Sequence, residues 1–390
     1  MVRPNVALIV ETSVGYGREI LHGISRYLRT HGRWSIYLEE RELLAPPPDW
    51  LLDWSGDGVI CRPTTPELAV ALRERGIAVV DLNDRYGYLQ IPRIGSDMAA
   101  IGGLAAEHLQ ERGFRHIAYC GFSDAAWSRE RLAGVAQKVG ARARMVGVFE
   151  SPWAGLREHS WQEERDRIAA WLAELPRPLG IVACNDVRGH HVLDACRALG
   201  IPVPDEVAVV GVDNTATFCE LCDPPLSSVV PDADRIGYEA AGLLDRLMSG
   251  RADARAECDI RIAPKGVITR QSSDVVAVED AAIALAVRFI REHACEGIGV
   301  AEVVAATPLS RSSLERGFRR YLGRSPHEEI ELVRLKRIKE LLIDTDWSLA
   351  RVAESVGFLH PEYMMVQFKR LVGMTPTEWR NSDKISQPVA

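Results

Sequence analysis

Short apolar runs and longer amphipathic stretches alternate along the chain from residue 6 to about residue 250. The apolar runs are rich in valine and isoleucine, as buried strands are, and the amphipathic stretches repeat their apolar positions at helical spacing. The predicted strands are 6–10, 34–38, 58–61, 77–82, 117–120, 144–149, 180–184 and 207–212, and the predicted helices are 18–30, 66–75, 96–112, 129–137, 161–175, 187–199 and 234–248. Strands alternating with helices predict parallel β–α–β units. The fold class is therefore α/β, and two successive groups of units indicate two lobes.

Polar side chains stand where these predicted strands end or where the next helices begin. Because ligands of such sheets bind beyond the carboxyl ends of the strands, these side chains are candidates for a ligand site. They are Glu11, Thr12, Tyr16, Arg62, Asp97, Arg131, Asn185, Asp186, Asp213 and Asn214. Each also has an ordinary structural alternative, since an Asp that opens a helix is usually an N-cap and a single Arg is usually a surface charge. Only their joint placement favours a site.

Residues 299–380 carry one pattern twice. Each copy predicts a short helix, a turn and a second helix, and Val300 corresponds to Leu349 as Phe318 corresponds to Phe368. The copies are therefore offset by 49 residues in the first helix and by 50 in the second. Self-similarity at one spacing indicates a duplicated unit, and this unit is a helix-turn-helix.

The second helix of each unit predicts a face that points away from the core. The i, i+4 pairs Leu314/Phe318 and Met364/Phe368 face inward. The candidates for DNA contact are Arg311, Ser312, Glu315, Arg316 and Arg319 in the first unit, and His360, Glu362 and Met365 in the second. A helix with an arginine-bearing face suits a DNA major groove. The second helix offers fewer polar side chains, so we expect it to read fewer base edges.

A long helix is predicted between the two units, at residues 327–345. Ile330, Val333, Ile338, Leu341 and Leu342 form its apolar stripe. Its basic face is formed by Arg334, Lys336, Arg337 and Lys339. The second helix of each helix-turn-helix unit is called its reading helix. A rigid helix between the units would hold the two reading helices about 34 Å apart, which is one turn of DNA.

The C-terminal quarter resembles the DNA-binding domain of the AraC/XylS family of transcription regulators. The matching residues include Leu309, Ser310, Ser312, Leu314, Arg316, Phe318, Arg334, Val352, Ala353, Gly357, Phe358, Tyr363, Phe368, Gly373, Pro376 and Arg380. The resemblance implies sequence-specific binding of double-stranded promoter DNA. The family usually has an aromatic residue after the tyrosine of the second reading helix, where this chain has Met364.

The region from about Val6 to Arg261 resembles the sugar-binding sensor domain of the LacI/GalR repressors, which is similar to periplasmic sugar-binding proteins. The marks are Ile94 to Asp97, Gly113 to Ala118, Arg131 with Gly134, Ala183 to Asp186, Ile201 to Asn214 and Pro224 to Ser228. The resemblance implies a cleft lined by Asp97, Arg131, Asn185 and Asp213. It also implies that Trp161 flanks the sugar.

The order of the two parts resembles the xylose-operon regulators and implies a sugar-controlled regulator, with xylose or a related monosaccharide as effector. The predicted domains are a sensor at 1–268, a linker at 269–280 and a DNA-binding domain at 281–390. The resemblance further implies a homodimer that contacts RNA polymerase and acts as an activator. Arg62, and Pro231 at a position that is often polar, leave a different or acidic sugar open, and repression is the alternative to activation.

The net charge of −7 by itself argues against nucleic-acid binding, but the distribution of the charges along the chain removes this objection. Residues 281–390 hold 16 basic and 14 acidic side chains, so the acidic excess lies in the first 280 residues. Local arginines and lysines would have to supply the phosphate contacts. Several of the eight cysteines lie inside apolar runs, which suits free thiols of a reducing cytosol, and no signal peptide or membrane span is visible.

Other protein classes have weaker support. An α/β enzyme would need a nucleophile elbow, a complete phosphate loop or a metal-ligand cluster. Gly15-Tyr-Gly17 imitates a dinucleotide fingerprint, but Ile20 holds the third glycine position. A zinc-dependent methyltransferase would need more than the lone Cys219–Cys222 pair, and a transport protein would need a signal peptide. No cofactor or metal is predicted, and a cytoplasmic location is expected.

Overall fold

The computed structural model describes residues 3–42, 45–82, 89–140, 143–153, 160–251, 259–275, 278 and 280–380, with residues 343 and 344 described by their backbone only. The chain forms two compact units, Met1–Val275 and Val276–Ala390. The first unit is α/β and the second is helical, as the sequence predicts. None of the helices in the described ranges is long and apolar enough to cross a membrane.

The first unit contains two sheets of six strands each. The strands are β1 Asn5–Ile9, β2 Ser35–Leu38, β3 Gly58–Cys61, β4 Ala78–Asp81, β5 Arg93–Ser96, β6 His116–Phe122, β7 Arg144–Ser151, β8 Leu179–Ala183, β9 Val207–Val212, β10 Ser227–Val230, β11 Asp259–Ile262 and β12 Gly266–Ile268. Their orders are β11-β5-β4-β3-β1-β2 and β12-β10-β9-β8-β6-β7. All pairs are parallel except β10 with β12, so the carboxyl ends of the inner strands of each sheet lie at one edge.

Helices cover the faces of both sheets. They are α1 Gly15–His31, α2 Pro66–Glu74, α3 Met98–Glu111, α4 Ala126–Val139, α5 Trp161–Ala173, α6 Asp186–Ala198, α7 Ala216–Leu221 and α8 Ala233–Met248. Helices α1, α2 and α8 pack on the first sheet, and α3 to α7 pack on the second. The strands are almost wholly apolar because both of their faces are buried.

Several elements differ from the sequence prediction. Helix α1 begins at Gly15 rather than at Arg18, and Gly17 is what permits this: a Cβ there would lie 1.9 Å from the Glu11 carbonyl oxygen. Strands β5, β10, β11 and β12 are absent from the prediction. β5, β10 and β11 carry two polar residues among their four, and β12 is only three residues long, so none shows the apolar run that identified the equally short β3.

The predicted linker at 269–280 begins too early. Residues Gln271–Ser273 form a short 3-10 helix inside the first unit, and Ser272 and Ser273 are fully buried. The Ser272 hydroxyl donates to the Val209 carbonyl at 2.7 Å and accepts from the Ser227 amide at 2.8 Å. The first unit therefore extends to Val275. Residues 276, 277 and 279 of the predicted linker lie outside the described residues.

The second unit contains two helix-turn-helix units joined by a long helix. Its helices are α9 Ala281–His293, α10 Val300–Ala305, α11 Arg311–Leu322, α12 Pro326–Asp344, α13 Leu349–Ser355 and α14 Pro361–Val372. Two apolar cores hold them, one around Leu314 and Phe318 and the other around Met364 and Phe368. The inward i, i+4 pairs are confirmed, as is the long central helix.

Candidate functional site

A cavity of about 270 Å³ lies between the carboxyl ends of the two sheets in the first unit. Tyr16 and Arg62 reach it from the segments that follow β1 and β3. Asn185, Asp186 and Asp213 reach it from the segments that follow β8 and β9. The cavity is thus lined from both lobes, and it brings together six of the ten side chains singled out at strand and helix ends, Arg131 included.

Arg62 is balanced by a carboxylate of the same lobe. Its guanidinium forms an ion pair with Glu11, which is itself buried behind the cavity wall. The guanidinium lies 4.7 Å from the centre of the Tyr16 ring, a favourable cation–π distance. The Tyr16 hydroxyl in turn lies 2.9 Å from the Ser96 hydroxyl. Arg62 therefore presents a fixed, neutralised guanidinium to the cavity.

Arg131 is held in a similar way in the second lobe. It is buried, donates to the Cys184 carbonyl, and lies 3.5 Å from a carboxylate oxygen of Asp213. Its guanidinium carbon lies 4.9 Å from the centre of the Trp127 ring. These contacts fix the direction of the remaining N–H groups, which is what a hydrogen-bonding site for a small polar ligand requires.

Asp213 and Asn214 follow β9 in left-handed backbone conformations, with φ of 102° and 47°. Residues other than glycine adopt such values rarely, and they concentrate at binding sites. The turn places Asp213 in the cavity and turns Asn214 away from it. The Asn214 amide donates to the Ser228 hydroxyl at 3.0 Å, and its side-chain oxygen accepts from Arg270 at 2.9 Å.

Asp186 is the most deeply buried carboxyl group of the cavity. It accepts from the Ser228 hydroxyl at 2.6 Å and from the Thr215 amide at 2.9 Å. Burial, and secondly the charge of Asp213, raises the pKa of Asp186 to about 7. Near neutral pH the group can therefore either accept or donate a hydrogen bond toward a ligand hydroxyl.

Trp127, Trp153, Tyr16 and Phe218 are the aromatic residues that line the cavity, whereas Trp161, which the resemblance implies, does not line it. Trp161 opens α5 and packs against the rings of His190 and His191 at 5.0 and 4.4 Å. Two signals could have identified the tryptophans that do line the cavity. Trp127 stands four residues before Arg131, on the same helix face, and Trp153 follows the end of β7.

Three further predicted residues have structural partners beside the cavity. Thr12 accepts from the Arg41 amide at 3.1 Å, and Asp97 caps α3 by accepting from the Ala100 amide at 2.8 Å. Glu11 acts through Arg62 rather than by lining the cavity itself. Arg18, which the sequence did not single out, does line it, and its guanidinium donates to the Thr12 carbonyl at 2.9 Å.

Helix α11 presents the polar face that the sequence predicts. Arg311, Ser312, Arg316 and Arg319 are exposed, and Glu315 is half-buried. The Ser310 hydroxyl caps the helix by accepting from the Ser313 amide at 3.3 Å. The arginines are thus displayed on a rigid, capped helix.

Helix α14 presents a different surface. His360 and Glu362 are exposed, and Met365 is half-buried. Tyr363 and Val366 expose 63% and 67% of their surface, although both are large and mainly apolar. Leu359, just before the helix, is 94% exposed. The exposed faces of the two helices therefore differ in chemistry, and the smaller number of base edges read by the second helix stays a prediction.

The sequence predicts that Arg334 belongs to an exposed basic face of α12, but in the structure this side chain is hydrogen-bonded to the backbone. Its guanidinium donates to the carbonyls of Ala294 and Ile298, at 2.7 and 2.8 Å. Arg380 makes the same kind of contact beside the second helix-turn-helix unit, with the carbonyls of Leu342 and Trp347. Each arginine ties the segment that precedes a helix-turn-helix unit to a later helical segment, so both have a structural role.

The cysteines of the described residues are free, and burial raises the pKa of the Cys222 thiol to about 11. Within the described ranges, no group of three or more His, Cys, Asp or Glu side chains is arranged to hold a metal ion.

Comparison with known protein families divides the chain in the same way. Residues 5–96 match a family described as the XylR N-terminal domain, and residues 106–273 match a periplasmic binding protein-like domain. Residues 303–382 match a helix-turn-helix domain.

Individual proteins are similar over nearly the whole chain. The xylose operon regulatory protein of Escherichia coli K12 is 32% identical over 389 residues, which cover 97% of both chains. Its counterpart from Haemophilus influenzae is 31% identical, with 96% of this chain and 97% of that protein covered. A solved structure described as the xylose-binding transcription activator XylR superposes with a TM-score of 0.76 at 31% identity, covering 98% of this chain and 99% of that one.

Proposed function

The chain belongs to the family of the xylose operon regulatory proteins, and from that premise we propose that it binds promoter DNA under the control of a neutral monosaccharide. It is a transcription regulator and not an enzyme. Xylose is the first candidate for the effector because the relatives are regulators of xylose operons. Activation is the first candidate for the outcome because the similar solved structure is described as an activator.

The internal charge balance of the cavity carries the proposal of a neutral sugar. Arg62 is matched by Glu11, and Arg131 is matched by Asp213, so neither guanidinium requires an anionic ligand. The third cation of the lining, Arg18, donates to the Thr12 carbonyl at 2.9 Å. An acidic sugar would add a negative charge beside Asp186 and Asp213. Sugar hydroxyls suit the paired donors and acceptors that remain, and the tryptophan rings suit the apolar face of a sugar ring.

The proposed mechanism couples the cavity to DNA affinity. A sugar that contacts both lobes stabilises the state in which the lobes are closed around it. If that state binds DNA more tightly, the sugar and the DNA each raise the affinity of the other by the same factor. We propose that a homodimer transmits the change, that DNA-bound protein recruits RNA polymerase, and that the protein acts in the cytoplasm, where the DNA is.

A thermal-shift screen of the full chain tests the effector. Xylose, other neutral pentoses and hexoses, and the sugar acid xylonate are compared. A ligand at a hundred times its Kd should stabilise the first unit by about 2.7 kcal/mol. We expect a shift with a neutral pentose and none with xylonate. A shift with xylonate alone would favour the acidic-sugar alternative.

Two arginines of α4 provide matched variants. Arg131→Ala should abolish the shift because Arg131 lines the cavity. Arg129→Ala should preserve it because Arg129 is exposed and donates to the Ser123 carbonyl at 2.7 Å. Gel shifts with and without sugar then test the coupling. If no pentose or hexose changed either the melting temperature or the DNA affinity, control by a sugar would be wrong. A sugar that lowered DNA affinity would favour repression.

A further inference from the structure

The exposed faces of α11 and α14 can be compared position by position, because the two helices are offset by 50 residues. Both begin one residue after a cap, both bury a residue pair at equivalent positions, and both end at a left-handed glycine, Gly323 and Gly373. The faces that point outward are therefore equivalent. Where the side chains at equivalent positions differ, the two helices differ in the chemical groups that they can contact.

The C-terminal ends of the two faces agree and the centres do not. Arg319 corresponds to Lys369, and both are exposed cations in the last turn of their helix. At the centre, Arg316 corresponds to Val366, and Ser313 corresponds to Tyr363. The second face thus keeps a cation that suits a phosphate and replaces the polar centre by exposed apolar groups.

Exposed apolar side chains at the centre of a reading helix have one complementary feature in a major groove. Thymine carries a methyl group there, and it is the one base feature that apolar side chains recognise. An arginine, by contrast, suits the two acceptors of guanine. We propose that α14 reads its part of the DNA site through thymine methyl groups, with Val366 and Tyr363 as the specificity-determining residues, whereas α11 reads guanine through Arg316.

This inference rests on the proposed DNA binding, and it adds the base chemistry of one half of the site. The charge pattern supports DNA over a protein partner on this face, because Lys369 and Arg370 border the apolar centre at the C-terminal end of the helix, with Glu362 at the opposite end. Arg370 also lies 3.1 Å from Glu331 of α12, which fixes its position at that border.

Uracil substitution tests the proposal without altering the protein. The full chain first selects duplexes from a randomised pool, and selection with Arg316→Ala shows which half-site loses its preference and so belongs to α11. Single thymines of the other half are then replaced by uracil, which removes only the methyl group. We expect about a fourfold loss of affinity at one or two positions, as for one buried methyl-sized group.

The protein variants show whether the methyl contact is made by α14. In Val366→Ala the uracil effect should disappear, and in Leu332→Ala, an exposed leucine of α12, it should persist. Val366 is largely exposed, so its substitution leaves the fold intact. Uracil tolerance at every thymine of that half, or an unchanged uracil effect in Val366→Ala, overturns the inference while the DNA-binding proposal stands. Failure of the full chain to select any duplex overturns the proposed function itself.

Discussion

Arg62 and Glu11 form an ion pair in which both side chains are largely withdrawn from water, with exposed fractions of 15% and 7%. Removing one partner leaves the other charge without compensation in a place where water screens it weakly. We therefore expect the pair to decide which ligand charge the cavity accepts. If the proposed neutral sugar is the ligand, the pair also explains why an arginine can stand in its site.

Glu11→Gln should reverse the charge preference of the cavity. We expect the affinity for neutral xylose to fall at least tenfold and binding of xylonate to become measurable by calorimetry. The reason is that Arg62 has lost its carboxylate partner, and an anionic ligand can compensate its charge. We also expect a loss of about 1–3 kcal/mol in the free energy of unfolding, as for a partly buried pair that has lost one member. The double variant Glu11→Gln/Arg62→Gln should lose the affinity for xylonate. Unchanged ligand preference in Glu11→Gln would contradict this role of the pair.

Gly102 should prove essential for the position of Arg131. A Cβ at Gly102 would lie 2.0 Å from the Arg131 carbonyl oxygen, so Gly102→Ala must push α3 and α4 apart. We expect a stability loss of about 1–3 kcal/mol and at least a tenfold weaker sugar affinity in the fraction that folds. Gly103→Ala is the matched control, because its Cβ would meet its nearest neighbour at 3.6 Å. This control should be neutral or slightly stabilising.

The sequence predicted the parts of the cavity that follow from topology alone. Asn185, Asp186 and Asp213 end neighbouring parallel strands, so their proximity required only the order of elements. The choice of Trp127 and Trp153 over Trp161 depended on which side of each element faces the cavity, and the packing of Trp161 on two histidines of α6 was not visible in the sequence.

The role of Arg334 was missed for a similar physical reason. Its position three residues before Arg337 places these two arginines on one side of an isolated helix. Its hydrogen-bond acceptors, however, lie 36 and 40 residues earlier in the chain. Local patterns predict which side of a helix is polar, but long-range contacts decide whether a polar side chain on that side stays in solvent.

Stability should depend on pH through Asp186. Its pKa rises from the ordinary 3.8 to about 7 in the folded chain, so the folded state holds a proton that the unfolded state has already released. The contribution of Asp186 to stability should therefore fall as pH rises from about 4 to about 7 and then level off. Urea unfolding of the unaltered chain and of Asp186→Asn between pH 5 and 8 isolates this contribution as the difference between the two profiles, because the opposite contributions of His108 and His191, whose pKa burial lowers to about 4, are common to both. Ser228→Ala removes a hydrogen bond that favours the carboxylate and should extend the fall to higher pH. Parallel pH profiles for all three proteins would contradict this account.

Arg316→Ala should reduce discrimination between DNA sequences more than the loss of a polar side chain from the second reading helix does. A bidentate contact between arginine and guanine discriminates by about 1–3 kcal/mol, so we expect a ten- to hundredfold loss at one base pair. Glu362→Ala should change discrimination by less than threefold. The measurement is competition between the selected duplex and single-base variants at fixed salt concentration, because phosphate contacts depend on salt. Equal losses in the two variants would show that the halves read DNA equally.

Arg334→Met and Arg337→Met separate structural from surface arginines on one helix. Arg334 is half-buried and donates to two carbonyls, so its loss should destabilise the second unit by about 2–3 kcal/mol. Arg337 is exposed and pairs with Glu340 at 3.0 Å, so its loss should cost less than about 1 kcal/mol. Unfolding of the full chain measures both losses, and hydrogen exchange in α10, α11, α13 and α14 shows which helix-turn-helix unit each one affects. Because the carbonyls of Ala294 and Ile298 precede α10, Arg334→Met should increase exchange in the first helix-turn-helix unit more than in the second. Equal exchange in the two helix-turn-helix units would mean that Arg334 supports the whole of Val276–Ala390 rather than the segment that it contacts.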